Sequence, residues 1–185
     1  MTRPDLPLLM LDVDGPLNPW AAPECPPGYQ TYLVTGLQVG DLHVWLNTGH
    51  GERLQRLPYH LVWATTWMHE ANVVIGGRAL GLPTLDVIEW TGMHLPDPDG
   101  LYWKTRQIAA WAGGRPFAWV DDEIGDADRE WVAEHYDGPA LLHWVDPRVG
   151  LVEADFVALE EWAGGLMEGP GGPMEGPDGL MEGRA

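Results

Sequence analysis

The chain has 185 residues, 45% of them hydrophobic, and a formal net charge of −18. That length fits one domain, and the apolar content is enough for a core. The negative charge opposes binding to nucleic-acid backbones and anionic membranes. The negative net charge does not exclude a small phosphorylated substrate, because a bound Mg²⁺ ion makes the local electrostatic field positive. No apolar run approaches the ~20 residues of a membrane span, and the N-terminus lacks a signal-peptide pattern. We therefore expect a cytoplasmic protein.

The first apolar run, Leu8–Val13, contains Asp12 and is followed directly by Asp14 and Gly15. Alternation along a strand points both aspartates the same way, and parallel strands present functional groups at their C-terminal ends. Two like charges this close repel each other, so they share a cation or one of them stays protonated. The spacing therefore predicts an Mg²⁺-assisted pair, one carboxylate acting as nucleophile and the other as acid and base.

Apolar runs then alternate with helical patterns along the chain. The predicted strands after the first are Leu61–Thr65, Leu85–Trp90, Phe117–Val120 and Leu141–Val145. The predicted helices are Glu52–Leu57, Met68–Leu80, Trp103–Trp111, Asp128–Tyr136 and Glu153–Trp162. This alternation predicts an α/β fold with a doubly wound, Rossmann-like sheet of about five parallel strands.

Two segments depart from that alternation. Between Tyr29 and Asn47, two short alternating runs surround Gly40-Asp41, which predicts a β-hairpin after the first strand. From Gly164 onward the chain is a seven-residue repeat rich in Gly and Pro, a composition that excludes a coiled coil. We expect one folded domain over residues 1–163 and a disordered tail over residues 164–185.

Polar side chains mark the end of a predicted strand or the start of a predicted helix at three further places. They are Thr65-Thr66, Lys104 (the only lysine of the chain) and Asp121-Asp122. Parallel strands bring their C-terminal ends to one edge of a sheet. We therefore expect these side chains to meet the two aspartates of the first strand in a single crevice.

In order and type, these features resemble the haloacid dehalogenase superfamily across residues 8 to 146. The resemblance implies that Asp12 is the nucleophile and forms an aspartyl-phosphate. It makes Asp14 the general acid for the leaving group and then the base that activates water. Thr65 would hydrogen-bond the transferring phosphoryl group, and Lys104 would hold Asp12 and the phosphoryl charge in place.

The resemblance also implies an Mg²⁺ site and no other cofactor. Asp121, alone or with Asp122, would bind the ion together with the Asp12 carboxylate and the backbone carbonyl of Asp14. Two assignments stay open at this point. Thr66 replaces Thr65 if the strand ends one residue later, and Asp122 is either the principal ligand or a supporting residue.

Superfamily members often carry a cap domain between these motifs. Here Gly15–Tyr59 and Thr66–Tyr102 are each too short for an independent domain, so we expect an open, capless site. The predicted function is Mg²⁺-dependent hydrolysis of a small phosphomonoester, without a membrane partner. One alternative is a phosphatase for nucleotides or nucleic-acid 3′ or 5′ ends, although the charge disfavours polynucleotides. The other is a non-catalytic Mg²⁺-binding or interaction module.

The eleven tryptophans are the most unusual feature of the composition. Most fall on predicted strands or apolar helix faces, where packing in the core is the default interpretation. Trp20 and Trp67 follow site segments by a few residues and are candidates for stacking on a base or ring of the substrate. Asn18 is equally compatible with a contact to the site and with a simple turn.

Overall fold

The computed structural model describes residues 6–35 and 40–168. The strands are Leu8–Leu11 (β1), Gln30–Val34 (β2), Leu42–Leu46 (β3), His60–Trp63 (β4), Asp86–Val87 (β5), Phe117–Asp121 (β6) and Ala140–Trp144 (β7). The helices are Gly49–Arg56 (α1), a π-helix at Ala71–Leu80, Thr105–Ala112 (α2), Asp126–His135 (α3) and Glu153–Glu168 (α4). Within this part of the chain, no helix combines the length and the apolar character needed to cross a membrane.

Five strands form a parallel sheet in the order β5-β4-β1-β6-β7. β1 is central, because Leu11 pairs with Trp63 of β4 on one side and with Val120 of β6 on the other. All four β1 residues are apolar and buried, as expected for a parallel strand covered on both faces. The predicted Rossmann-like fold is therefore confirmed.

The core divides into two clusters that lie on opposite faces of this sheet. Leu9 and Leu11 of β1 belong to one cluster, and Leu8 and Met10 belong to the other. The first cluster includes residues of α1, the π-helix and α4, whereas the second includes residues of α2 and α3. Helices thus cover both faces, and the loops after the parallel strands remain at one edge.

The predicted hairpin is present as a separate two-stranded antiparallel sheet of β2 and β3. Its residues Val34, Val44 and Leu46 are buried in the first core cluster. The hairpin is therefore packed onto the domain and does not form a cap domain of its own. The residues at 36–39, which belong to the first predicted run of the hairpin, lie outside the described residues.

β5 is shorter than the predicted strand Leu85–Trp90. The side chain of Asn72 bonds both backbone groups of Leu85: its Oδ1 accepts the N–H at 2.8 Å and its Nδ2 donates to the carbonyl at 2.9 Å. Because those two groups are already used, Leu85 does not join the ladder, and the strand begins at Asp86. It ends at Val87, three residues before the predicted end.

Several predicted helix boundaries were also wrong. α1 and α3 begin three and two residues earlier than predicted, and α2 begins two residues later. The π-helix begins at Ala71 and not at Met68, because Met68 has a left-handed backbone (φ 50°) that a helix does not accommodate. At the other end of the chain, α4 continues past Gly164 to Glu168, so the first residues of the predicted tail are helical. The rest of that tail, 169–185, lies outside the described residues.

Candidate active site

The carboxylates that follow β1 and β6 lie together, because the two strands are neighbours. The backbone N–H of Asp12 donates to the carbonyl of Val120 at 3.0 Å, which aligns the two strand ends. Side-chain oxygens of Asp12, Asp121 and Asp122 all lie within 4.8 Å of one another. The structure thus brings three of the four predicted acidic residues into one cluster.

Gly15 allows this approach of the two loops. Its φ is +87°, a conformation that side chains rarely adopt, and a Cβ there would lie 2.4 Å from Cγ of Asp122. Any larger residue would therefore displace Asp122. The glycine of the first motif is explained by this close approach to the residue that follows β6.

Lys104 is completely buried between two of these carboxylates. Its Nζ lies 2.6 Å from Oδ2 of Asp12 and 2.8 Å from Oδ2 of Asp121. Burial alone lowers the pKa of an ammonium, but the two carboxylates outweigh it and raise the pKa of Lys104 above its ordinary value. The lysine therefore holds a permanent positive charge beside Asp12.

Three aromatic rings complete the surroundings of that ammonium. The ring centroids of Tyr102, Trp103 and Trp90 lie 5.5, 5.8 and 5.9 Å from Nζ. A cation is attracted to the face of such rings, and the rings also exclude water from it. The only lysine of the chain is thus confined to one position.

Asp128 fixes the segment that carries Lys104. Its Oδ1 accepts the backbone N–H of Tyr102 at 2.9 Å and the hydroxyl of Thr105 at 2.5 Å. Its Oδ2 accepts the N–H of Gly125 at 2.8 Å, which caps α3. One buried carboxylate therefore joins the start of α3 to both sides of the lysine.

Asp121 and Asp122 differ in their surroundings. Asp121 is fully buried, and its oxygens accept the indole N–H of Trp119 at 3.2 Å and the backbone N–H of Glu123 at 3.0 Å. Burial raises its pKa, while the Lys104 ammonium opposes the rise. Asp122 is only partly buried, and burial raises its pKa to about 6.

Asp14 lies on the open side of the site and has neutral hydrogen-bond partners. Its Oδ1 accepts from the Asn18 amide at 2.7 Å, and its Oδ2 accepts from the Trp67 indole at 2.8 Å. Burial raises the pKa of this carboxyl, and the two hydrogen bonds partly oppose that rise. Asn18 also accepts the backbone N–H of Trp45 at 2.9 Å, so it joins Asp14 to the hairpin. Both of its predicted roles are observed, because its backbone carbonyl also accepts the N–H of Gly15 at 2.9 Å and closes the turn.

The two threonines after β4 lie in different environments. Thr65 is fully buried, and its hydroxyl accepts the backbone N–H of Trp67 at 3.3 Å. Thr66 is exposed and contributes to the wall of a cavity beside Asp14. The two candidates for phosphoryl contact thus face different parts of the site.

Indole groups make hydrogen bonds throughout this site, which the sequence did not predict. Five of them donate N–H groups to Asp14, Thr65, Asp121 or Asp122: Trp20, Trp67, Trp90, Trp119 and Trp144. Core packing was the expectation for Trp144, but it is 46% exposed and donates to the Asp122 carbonyl at 2.7 Å. The signal in the sequence was position: Trp20 and Trp67 follow site segments by a few residues, and Trp119 lies two residues before Asp121.

The acidic cluster suits a hard divalent cation. Mg²⁺ prefers oxygen ligands and is held in proteins by one or two carboxylates. Asp12, Asp121 and Asp122 supply three carboxylates from two neighbouring loops. Asp14 does not belong to this cluster through its side chain, so any contribution it makes would come from its backbone carbonyl.

A family model described as the HAD domain in Swiss Army Knife RNA repair proteins matches residues 8–156. The chain belongs to this family. The match runs from β1 into α4 and therefore includes every residue of the site described above. It identifies the domain as a haloacid dehalogenase-like hydrolase. A comparison with curated proteins finds no significant match.

Proposed function

We propose that this protein is an Mg²⁺-dependent phosphomonoester hydrolase that works through an aspartyl-phosphate on Asp12. The observation that carries the proposal is the buried ammonium of Lys104, 2.6 Å from the Asp12 carboxylate. A nucleophilic carboxylate that attacks an anionic phosphoryl group needs positive charge beside it. Lys104 supplies that charge in a site where water does not screen it.

In the first step, a carboxylate oxygen of Asp12 forms a bond to phosphorus while the bond to the leaving oxygen breaks. Asp14 donates its proton to that oxygen, so the product leaves as a neutral alcohol. The burial that raises the pKa of Asp14 favours the protonated acid needed here. The hydrogen bonds from Asn18 and Trp67 orient the carboxyl group.

In the second step, the Asp14 carboxylate takes a proton from water, and the water oxygen attacks phosphorus. The bond between phosphorus and Asp12 breaks, which releases inorganic phosphate and restores both aspartates. Thr65 is proposed to hydrogen-bond the phosphoryl group during both steps, with Thr66 as the alternative. Asp12, Asp121, Asp122 and the carbonyl of Asp14 are the proposed ligands of Mg²⁺. When bound, the ion supplies further positive charge for the phosphoryl oxygens.

Hydrolysis of p-nitrophenyl phosphate with and without Mg²⁺ tests the proposal. Asp12→Asn is expected to lower kcat by at least about 10³-fold, because the nucleophile is lost. The exposed Asp137 provides a matched control, since Asp137→Asn makes the same change away from the site. Mass spectrometry after acid quench should find one phosphoryl group on Asp12. Absence of turnover with Mg²⁺, or equal turnover by Asp12→Asn, would overturn the proposal.

A second candidate is a phosphatase for nucleotides or for nucleic-acid 3′ or 5′ ends. The family description, which refers to RNA repair proteins, favours it. The net charge of −18 opposes long polynucleotides, which need cationic contacts to their phosphates. A panel of nucleotides and end-phosphorylated oligonucleotides separates this candidate from a general phosphatase. Mg²⁺ binding without turnover of any ester would instead indicate a non-catalytic module.

A further inference from the structure

A cavity of about 590 Å³ lies beside Asp14. Its size is that of a small-molecule site. Asp14 lines this cavity, whereas Asp12 does not. If Asp14 protonates the leaving oxygen, as the proposed function holds, the group attached to that oxygen must lie in this cavity. Its walls then select the leaving group of the substrate.

Two of those walls are indole rings with fixed positions. Trp67 donates its N–H to Asp14 at 2.8 Å, and Trp20 donates its N–H to Asp122 at 3.1 Å. Trp20 is nonetheless 59% exposed. Each N–H is used by a carboxylate, so what the rings still offer a ligand is their aromatic surface. Val44 and Met93 add apolar surface to the same cavity.

The charges in the cavity wall exclude a second anionic group. Asp14 and Glu70 are acidic, and among the described residues that form the wall there is no lysine or arginine. A leaving group that carried its own phosphate would face the Glu70 carboxylate, and Asp14 once it has given up its proton, without a counter-charge from lysine or arginine. His43 and His94 remain as hydrogen-bonding groups for a neutral ligand.

We propose that this cavity binds a nucleoside as the leaving group, with its base stacked on the indoles of Trp20 and Trp67. This rests on the proposed function, because it assigns the leaving-group side of that site. Recognition is then by stacking and not by phosphate contacts, which fits an acidic protein. The nucleoside comes from a free mononucleotide, because the leaving group of a strand end would carry a phosphodiester of its own into the acidic wall.

Adenosine 5′-monophosphate and ribose 5-phosphate are a matched pair of substrates, because they differ only by the base. For the unmodified protein, kcat/KM for the nucleotide should exceed that for the sugar phosphate by roughly 10- to 100-fold, the effect of one base–aromatic stack. Trp20→Leu should reduce this ratio towards one. Trp20→Phe loses the same hydrogen bond to Asp122 but keeps a ring, so it should retain most of the preference.

A ratio near one in the unmodified protein would overturn the inference while leaving the proposed function intact. Equal loss of the preference in Trp20→Leu and Trp20→Phe would overturn stacking on Trp20. If neither ester is hydrolysed although p-nitrophenyl phosphate is, the inference fails; if p-nitrophenyl phosphate is not hydrolysed either, the proposed function fails. Calorimetric binding of the same two compounds to Asp12→Asn then tests the cavity alone: preference for the nucleotide supports the inference, and equal or absent binding overturns it.

A gain-of-function variant tests whether the acidic wall excludes a second phosphate from the cavity. Adenosine 3′,5′-bisphosphate should be a poorer substrate than either monophosphate, because its second phosphate meets the acidic wall. Met93→Lys introduces a cation there and should raise kcat/KM for the bisphosphate relative to the monophosphate, whereas Met93→Gln should not. Efficient hydrolysis of the bisphosphate by the unmodified protein would contradict the inference.

Short oligonucleotides test the same exclusion of charge. We expect kcat/KM to fall from the mononucleotides to 3′- or 5′-phosphorylated di- and trinucleotides, because each added phosphodiester brings another anionic group to the acidic wall. Oligonucleotides that match or exceed the mononucleotides would contradict the exclusion of charge. For the mononucleotides, kcat/KM should depend only weakly on salt, because few phosphate contacts are made, and a steep decrease with salt would contradict recognition by stacking.

Discussion

Asp12 and Asp14 are one residue apart in the sequence but have different partners. Asp12 is buried and contacts the ammonium of Lys104, with Asp121 on the other side of that charge. Asp14 faces a cavity and accepts hydrogen bonds from two neutral groups, an amide and an indole. A closed, charged side and an open, neutral side therefore meet at the end of β1.

The difference shows how one motif supplies two chemical roles. A buried ammonium places positive charge beside the Asp12 carboxylate through a charge-assisted hydrogen bond, which suits a nucleophile that attacks an anionic phosphoryl group. Burial raises the pKa of Asp14, although its two neutral donors partly oppose the rise, and this suits a group that gives and takes a proton. The predictions below test this division, beginning with the largest expected effect.

Asp14→Asn tests the open side. Loss of the acid should lower kcat by about 10²- to 10⁴-fold for an alkyl ester such as glycerol phosphate. p-Nitrophenolate leaves without a proton, so the variant should still release about one equivalent per site in a burst before turnover slows. Rapid-quench and stopped-flow measurements give both values. Equal slowing of the first turnover for both esters would show that Asp14 is not the acid.

Lys104→Met tests the closed side. Removing one partner of a buried ion pair should destabilise the fold by about 3–5 kcal/mol, because two buried carboxylates then repel each other. Urea unfolding measures the loss. The double variant Lys104→Met/Asp121→Asn removes one of those charges and should lose less than the sum of the two single variants. Additive losses would mean that the two groups do not interact.

His50 is a buried basic side chain that, unlike Lys104, has no hydrogen bond to a carboxylate among the described residues. Burial, helped by the charge of Arg53, lowers the pKa of His50 from 6.5 to about 4. The unfolded chain therefore binds a proton between these pH values and the folded chain does not. Stability due to this group is present above pH 6.5 and is lost as the pH falls towards 4, by up to ~3 kcal/mol.

Urea unfolding at a series of pH values checks the His50 prediction. His50→Leu cannot be protonated, so its stability should decrease less than that of the unmodified protein as the pH falls through this window. The difference between the two proteins, and not the absolute stability, is the informative quantity, because Leu also changes the packing. Parallel pH profiles would contradict the prediction.

Gly15→Ala should weaken Mg²⁺ activation, because its Cβ would displace Asp122. Loss of support for a metal ligand typically reduces affinity by about 10- to 100-fold. Gly81→Ala is the matched control: its φ of +65° is similarly left-handed, but a Cβ there meets nothing within 4 Å. The concentration of Mg²⁺ at half-maximal activity should rise only for Gly15→Ala. A similar rise in both variants would attribute the effect to backbone strain.

Much of the fold could be predicted because it depends on local patterns. The alternation of strands and helices was sufficient for the parallel sheet, and the two short runs around Gly40-Asp41 were sufficient for the hairpin. The start of β5 was wrong because a side chain intervened. Leu85 is outside β5 because Asn72 bonds its backbone. Such a contact depends on a neighbour that lies across a turn, and periodicity carries no information about it.

The sequence alone was sufficient to predict the family and the group of acidic residues at the site. The motifs mark the ends of predicted parallel strands, and in a parallel sheet those ends lie at one edge. Only the tertiary structure decided which partner each carboxylate has. Lys104 and Asp12 are 92 positions apart, and Trp20 and Asp122 are 102 apart. Those contacts form when loops that follow different strands pack together. The relative positions of these loops depend on how the whole core packs. The spacing of Asp12 and Asp14 predicted two carboxylates, and their packing made them different.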